Sequence, residues 1–414
     1  MGEFSVVTDA PARTDLLNFD RYVDPLLAVL TGQYTETPFT VGIFGPWGSG
    51  KSTLLGLLRR KLESGYPGQF LAVDFNPWVH RKEPNMLVPL LDVLRETLGQ
   101  DPKKRFGQSA AKIATILLKL GADVVLRHVT AGAVSLEKLT QAEEAYHKER
   151  GEVRSEMRKL HGTLQQLANG IAGQGAHIVF FIDDLDRCAP LEIIDLLEAI
   201  KLFLDLQHVF VILAADKEVI DRGIEVKYKD FELGERKSAL GAEYIEKMIQ
   251  LPLHLFPLHP SQVRSYVETL PPPAAVLPRL DVIAPALAPN PRKIKRVVNM
   301  LAVAGRIQHA SPALHALSAD IVARLVVLQV QHPDLYAQIL RYPLLLEKLE
   351  LAFAGTLKLE NDRDFAGLGE LREPLYRLSK LYCKPGALYA PLFNQAGFAQ
   401  VRTDLPLYFS MLGR

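Results

Sequence analysis

The sequence predicts an α/β protein: a parallel five-stranded sheet covered by helices on both faces, with an inserted helical arm and an all-helical C-terminal region. Five short apolar segments, each flanked by helical periodicity, are the signature of strands buried on both faces. The first of them runs into a glycine-rich turn and then a helix, the order that opens a doubly wound domain. Strand signals stop near residue 258, and prolines at 271–273, 285, 289 and 291 punctuate helical sequence beyond it.

Taken in order, residues 14–33 have a helical apolar face of Leu16, Leu17, Tyr22, Leu26, Leu27 and Leu30. The first strand is Phe39 to Phe44. Gly45 to Ser52 follows, and Leu54-Leu55-Gly56-Leu57-Leu58 continues as a helix. Phe70 to Phe75 is a second strand ending at Asn76-Pro77-Trp78, and Met86 to Leu98 is an amphipathic helix. Residues 101–172 read as mostly helical, strongly charged from Glu137 to Gln166 with leucines on one face, which suits an arm outside the sheet. His177 to Ile182, Val209 to Ala214 and Gln250 to Leu255 complete the strands. The expected domains are an α/β core of residues 1–100 and 173–258, the arm at 101–172, and a helical lid, sensor and partner region at 259–414.

Composition limits the function. Forty-eight basic and forty-seven acidic side chains leave a formal charge of +1, so the chain as a whole is not built to attract a polyanion. Two cysteines, Cys188 and Cys383, cannot form a disulfide framework and suit a reducing, cytoplasmic setting. The charged N-terminus offers no secretory core, and Ser109 to Leu136 is interrupted by Lys112, Lys119, Asp123, Arg127 and His128, too often for a membrane span.

The run Gly45-Pro46-Trp47-Gly48-Ser49-Gly50-Lys51-Ser52 carries the chemistry. Between a strand and a helix, its backbone N–H groups, together with that of Thr53, converge on one anionic site. Glycine at Gly50 removes a steric obstacle to a phosphate, Lys51 brings a point charge to the β- and γ-phosphates, and the Ser52 hydroxyl is the expected ligand of Mg²⁺. A metal-side carboxylate is then needed at the end of an apolar strand. Asp183, closing Ile178 to Ile182, supplies it. Asp184 is placed to polarise the attacking water or, alternatively, to cap a helix start. Arg187 is open between a partner for Asp184, an arginine finger toward a neighbouring subunit, and a salt bridge with Asp186 or Glu192. Asp216, after the fourth strand, is a γ-phosphate sensor or a helix cap. Arg292, in the helix start Asn290-Pro291-Arg292-Lys293-Ile294-Lys295-Arg296, can lie across bound phosphates. The same cations lack the interleaved aromatics of a nucleic-acid surface, so nucleic acid is not the expected partner.

With these residues assembled, the chain resembles the KAP family of P-loop NTPases. The matching segments are Ile43 to Ser52, Phe75-Asn76-Pro77-Trp78, Asp183-Asp184-Leu185-Asp186-Arg187-Cys188, Ala214-Ala215-Asp216, Tyr244 to Pro252, and Asn290 to Arg296. The resemblance implies an ATP-binding, Mg-dependent ATPase domain with an additional strand between the loop strand and the aspartate strand, and Arg292 in the arginine sensor position of the lid. Loop and lid together are read as a nucleotide-driven conformational switch or an assembly ATPase, and the resemblance implies a role in prokaryotic defence against phage. Aspartate at position 184, one methylene shorter than the glutamate of many ATPases, suits slow turnover. Trp78, as a large apolar group, is expected to pack in the core. Many members carry transmembrane helices between the two phosphate-site motifs, where this chain has its charged arm. A soluble form acting through the arm or C-terminal region on a protein partner is therefore expected, with homo-oligomerisation and a shallow membrane contact through Ile113 to Leu126 left open. The rival readings are a scaffold that holds nucleotide with little hydrolysis and an ATPase stimulated by nucleic acid.

Overall fold

The structure is a computed structural model that describes residues 6–83, 86–101, 105–121, 143–227, 237–270, 280–357, 369, 390–394 and 396–413. Cys383, the prolines at 271–273 and residues 122–142 of the arm lie outside the described residues. The chain divides into two compact units, Pro11–Phe256 and Met1–Ala10 with Pro257–Arg414. The division differs from the expected one at the N-terminus, because residues 7–10 bond to a C-terminal helix, as described below.

The larger unit runs α1 (Asp20–Thr31), β1 (Phe39–Phe44), α2 (Lys51–Gly65), β2 (Phe70–Phe75), α3 (Leu87–Gly99), α4 (Gly107–Gly121), α5 (Glu143–Ala172), β3 (His177–Ile182), α6 (Pro190–Phe203), β4 (Val209–Ala215), α7 (Lys217–Lys227), α8 (Lys237–Met248) and β5 (Leu251–His254). All strand pairs are parallel and the order is β2-β3-β4-β1-β5. The loop strand β1 is thus separated from the aspartate strand β3 by β4, the additional strand that the sequence resemblance implies. Strands β3 and β4 are buried along nearly their whole length, which accounts for their unbroken apolar sequence.

Helix α1 begins at Asp20, later than the periodicity predicts. The Asp15 carboxylate accepts the backbone N–H groups of Leu17 (3.0 Å) and Asp20 (2.9 Å), and Asn18 turns left-handed at φ 57°. An aspartate side chain that satisfies local amides competes with the helix for them.

Helices α6 and α7 approach so closely that a Cβ on Gly223 would fall 2.5 Å from the Pro190 carbonyl oxygen. Glycine is the residue that permits this packing.

The arm is joined to the core at both ends. Phe106, Ile113 and Ile116 from the α4 segment, and Leu164, Leu167, Ala168 and Ile171 from α5, are buried in the same cluster as Phe180 and Ile182 of β3. Ile113 and Ile116, at the start of the stretch considered for a membrane contact, are buried in this core, and residues 122–126 of that stretch lie outside the described residues. Among the described residues, no helix is long and apolar enough to cross a membrane.

Among the described residues the smaller unit is helical: α9 (Pro260–Thr269), α10 (Leu280–Ile283), α11 (Pro291–Ala310), α12 (Ala319–Gln331), α13 (Pro333–Arg341), α14 (Leu345–Phe353), α15 (Ala390–Phe393) and α16 (Leu405–Leu412). Helix α12 is buried from Ile321 to Leu328, as expected of a helix that is apolar on nearly all sides. Its one cation in that stretch, Arg324, donates to the carbonyls of Pro391 (2.7 Å) and Leu392 (2.8 Å), so the charge is hydrogen-bonded where it is buried.

Leu167 is 2% exposed, on the arm helix α5. Leu167→Ala is expected to lower unfolding stability by about 2–5 kcal/mol, the range for a buried leucine that leaves a cavity. A urea midpoint close to that of wild type would show that this end of the arm is not part of the core.

Candidate functional site

The parallel order brings five strand ends to one edge, where α/β sheets place their ligands. The bonding continues just past the strands. Gly45 N–H donates to the Ala215 carbonyl (3.3 Å), Asp183 N–H to that of Phe75 (3.1 Å) and Leu255 N–H to that of Phe44 (2.7 Å). Asn76, Gly45, Asp183 and Asp216 each follow directly on a strand of this edge.

The Gly45–Ser52 turn is shaped as an anion cradle. Gly50 precedes α2 in the left-handed region (φ 102°), and a Cβ there would lie 2.6 Å from the Phe19 ring. Glycine is thus required both by backbone conformation and by space. No side chain caps α2 and no acid occupies its first turn, so the positive end of the helix is left to a ligand. The Ser49 hydroxyl is buried without a hydrogen-bond partner among the described residues. Pro46 supplies carbonyl acceptors to Ser49 N–H (3.1 Å) and to Lys51 Nζ (3.4 Å). The Thr53 hydroxyl accepts Ala12 N–H at 3.3 Å.

Lys51 is buried. Its ammonium donates to Gly45 O at 2.8 Å and to Asp186 Oδ2 at 3.0 Å, in an ion pair whose side chains are 7% and 9% exposed.

Asp183 follows β3 at the same edge. Its carboxylate is hydrogen-bonded by the Ser52 hydroxyl, and its Oδ1 accepts Asp184 N–H at 2.9 Å. Burial pushes its carboxyl above the ordinary value of 3.8. The Ser52 and Asp184 contacts pull against this, and repulsion from Asp184 and Asp186 adds to it. A hydroxyl paired with a carboxylate is a hard-oxygen set suited to Mg²⁺. With the unpartnered Ser49 hydroxyl, these residues fit a polyphosphate and its metal.

Asp184 does not cap a helix through its side chain. Its backbone is left-handed (φ 58°, ψ 25°), its Oδ2 accepts the Asn76 amide at 2.9 Å, and its Oδ1 pairs with Arg187 Nε at 2.7 Å. Within the chain Arg187 thus pairs with Asp184, while Asp186 is bound to Lys51 and Glu192 accepts Ala189 N–H. Arg187 and Arg81 both lie over the Trp78 ring, at 5.6 and 4.8 Å from its centroid. Trp78 is 37% exposed and Trp47 62%, so neither tryptophan is core. Cation–π contact holds Trp78 where burial was expected.

Asp216 Oδ1 accepts Glu218 N–H at 3.1 Å and caps α7.

Arg292 belongs to the smaller unit, in the first turn of α11. There it pairs with Asp9 at 3.6 Å, while Lys295 donates to the carbonyls of Thr8 (3.1 Å) and Ala10 (3.3 Å). Asn299 exchanges two hydrogen bonds of 2.7 Å with the Val7 backbone. Two of the four cations in this run are thus engaged by the N-terminal segment.

Two pairings in the candidate site escaped the sequence reading. Asn76 was visible only as part of the Phe75-Asn76-Pro77-Trp78 motif, and Asp186 only as a partner offered to Arg187. Nothing in either segment alone says which charge it meets.

Residues 19–308 match the KAP family P-loop domain. The Phage T7 exclusion protein of Escherichia coli is 25% identical over 299 residues, a stretch that covers 64% of this chain and 38% of that protein. The chain thus spans well under half the length of that relative. An uncharacterised protein of Methanocaldococcus jannaschii is 25% identical over 174 residues, covering 33% of this chain and 86% of that protein. Among solved structures, the Aeropyrum pernix ORC2 protein aligns with 95% of this chain and 85% of its own at a TM-score of 0.36 and 15% identity. The ORC1 protein of the same organism, in complex with DNA, aligns with 96% and 84% at 0.35 and 16%. Similarity of that degree carries no argument about function.

The raised Asp183 carboxyl gives a pH test. A group whose value is raised by folding supports the fold below its ordinary value, here 3.8, and loses that support as pH rises through the raised one. Asp183→Asn, neutral throughout, is expected to match wild type in thermal midpoint near that pH and to exceed it increasingly above, without added nucleotide or metal. A midpoint difference that does not change with pH would show that Asp183 is not destabilised by ionisation.

Proposed function

We propose, for a chain that belongs to the KAP family of P-loop domains, that it binds ATP with Mg²⁺ and hydrolyses it slowly as a nucleotide-driven conformational switch. Family membership carries nucleotide binding at the Gly45–Ser52 loop in general. The finer reading is supported above all by one observation, the convergence of Lys51, the Ser52 hydroxyl and the Asp183 carboxylate at a single sheet edge.

Bound ATP with Mg²⁺ supplies a phosphoanhydride whose cleavage releases free energy and a metal that neutralises charge. Gly45 to Thr53 orient the phosphates through backbone amides, Lys51 contributes its charge, and Ser52 and Asp183 hold the metal. Asp184 accepts a proton from the attacking water once it is freed from Asn76 and Arg187. The shorter reach of an aspartate than of a glutamate supports the reading of slow turnover. Arg292, in the smaller unit, is the sensing arginine. A switch of this kind requires the γ-phosphate to favour one arrangement by a few kcal/mol, within the range of charge-assisted contacts. The partner is a protein, engaged through the arm or the C-terminal region. The likeness to a phage exclusion protein supports a role in antiviral defence.

Lys51→Ala is expected to abolish ATP binding in calorimetry, and unchanged affinity would remove the loop from the mechanism. In single-turnover assays with Mg²⁺, Asp184→Asn is expected to reduce hydrolysis by about 10²–10⁴-fold, the range of a general base. Equal and negligible rates for wild type and variant would favour a nucleotide-holding scaffold. Strong stimulation by DNA or RNA, falling steeply with salt, would favour a nucleic-acid-dependent enzyme.

A further inference from the structure

Of the three acids after β3, Asp186 pairs with Lys51 and Asp184 with Arg187, and these two pairs link the phosphate cradle to the residue that handles water. The Lys51 ammonium has three N–H donors and three acceptors within reach, Gly45 O, Pro46 O and Asp186 Oδ2. All its donors are thus committed inside the protein. A phosphate oxygen that reaches Lys51 must replace one acceptor, and of the three only Asp186 is an anion that the incoming charge repels. Asp186 also has little access to water, so it cannot easily stay behind without its counter-charge.

Asp186 shares one short turn, Leu185–Arg187, with the arginine that holds Asp184. Leu185 is fully buried and fixes the middle of the segment, leaving Asp186 and Arg187 to move about it. Arg187 meets Asp184 twice, through Nε to Oδ1 at 2.7 Å and through its backbone N–H to Asp184 O at 3.2 Å. Asp184 keeps a left-handed backbone that aspartate adopts only when its surroundings hold it there. From these contacts we infer that Asp186 is a positioning residue that relays phosphate arrival at Lys51 to Asp184. It leaves Lys51 when phosphate binds, its turn shifts, and Arg187 loosens its hold on the Asp184 carboxylate. The inference rests on the reading of Gly45–Ser52 as a nucleotide site and adds to it a device that keeps Asp184 restrained until that site fills.

The test uses the full chain as wild type, Asp186→Asn and Asp186→Glu. Without nucleotide, acetylation of Lys51 followed by mass spectrometry is expected to run several-fold faster in Asp186→Asn and to return toward wild type in Asp186→Glu. ADP, which undergoes no turnover, is expected to bind about tenfold more tightly to Asp186→Asn, because an internal competitor for the ammonium has been removed. Hydrogen exchange at residues 184–188 is expected to rise on ADP addition in wild type and to be high already in Asp186→Asn. Unchanged Lys51 labelling, or ADP affinity that is equal or weaker in Asp186→Asn, overturns the relay. If ADP binds neither wild type nor variant while labelling still rises, the ion pair is real but the nucleotide reading fails and takes the relay with it.

Discussion

A buried ammonium must have an anion within hydrogen-bond reach, and the geometry of this site follows from that requirement. Lys51 is the first residue of α2, and the parallel sheet places the start of that helix at the carboxyl edge, where its side chain loses solvent. Strand β4 sets the spacing. By lying between β1 and β3 it moves the acids after β3 one strand away from the loop, close enough for Ser52 to bond Asp183 and for Asp186 to reach Lys51.

Three aspartates in four residues acquire three environments from this arrangement. Asp183 is desolvated and bonded by a hydroxyl, which suits a metal. Asp184 is partly exposed and held by an amide and a guanidinium, a pair worth under about 1 kcal/mol at such a surface and so easily exchanged. Asp186 is in a buried ion pair, where loss of one partner is costly to the other. Identical side chains differ in chemistry because the chain turns sharply after β3 and points each at a different neighbour.

Most of the fold was legible in the sequence, because buried parallel strands are written as unbroken apolar runs. Each of the five strands lies within a residue or so of its expected span. The phosphate loop was legible too, as its glycines answer to backbone geometry that is local. What could not be read were pairings between distant segments. Asn76 meets Asp184 across 108 positions and Lys51 meets Asp186 across 135, and residue spacing holds no record of either. The start of α1 was missed because Asp15 outcompetes helical periodicity, and Trp78 was expected inside because a ring's size does not reveal the two arginines stacked on it. The arm was read as an insertion outside the sheet, and its charged stretch gave no sign of the buried residues at its two ends.

The residues ahead of β1 also belong to the site, although nothing in them looks like a motif. The Phe19 ring fills the space beside Gly50, and Leu17 lies 3.8 Å from where a Cβ would sit. Ala12 bonds Thr53, and Arg60 of α2 returns to the carbonyls of Ala12 and Arg13 at 3.4 and 2.9 Å. The loop is therefore held on its outer side by packing as well as by its own hydrogen bonds. A loop held this way has little conformational entropy left to lose on binding phosphate, so the backbone amides are set before the ligand arrives. What remains adjustable is the inner side, where Lys51 changes partners. Rigidity outside and exchange inside confine the response to binding to the turn that carries Asp186 and Arg187.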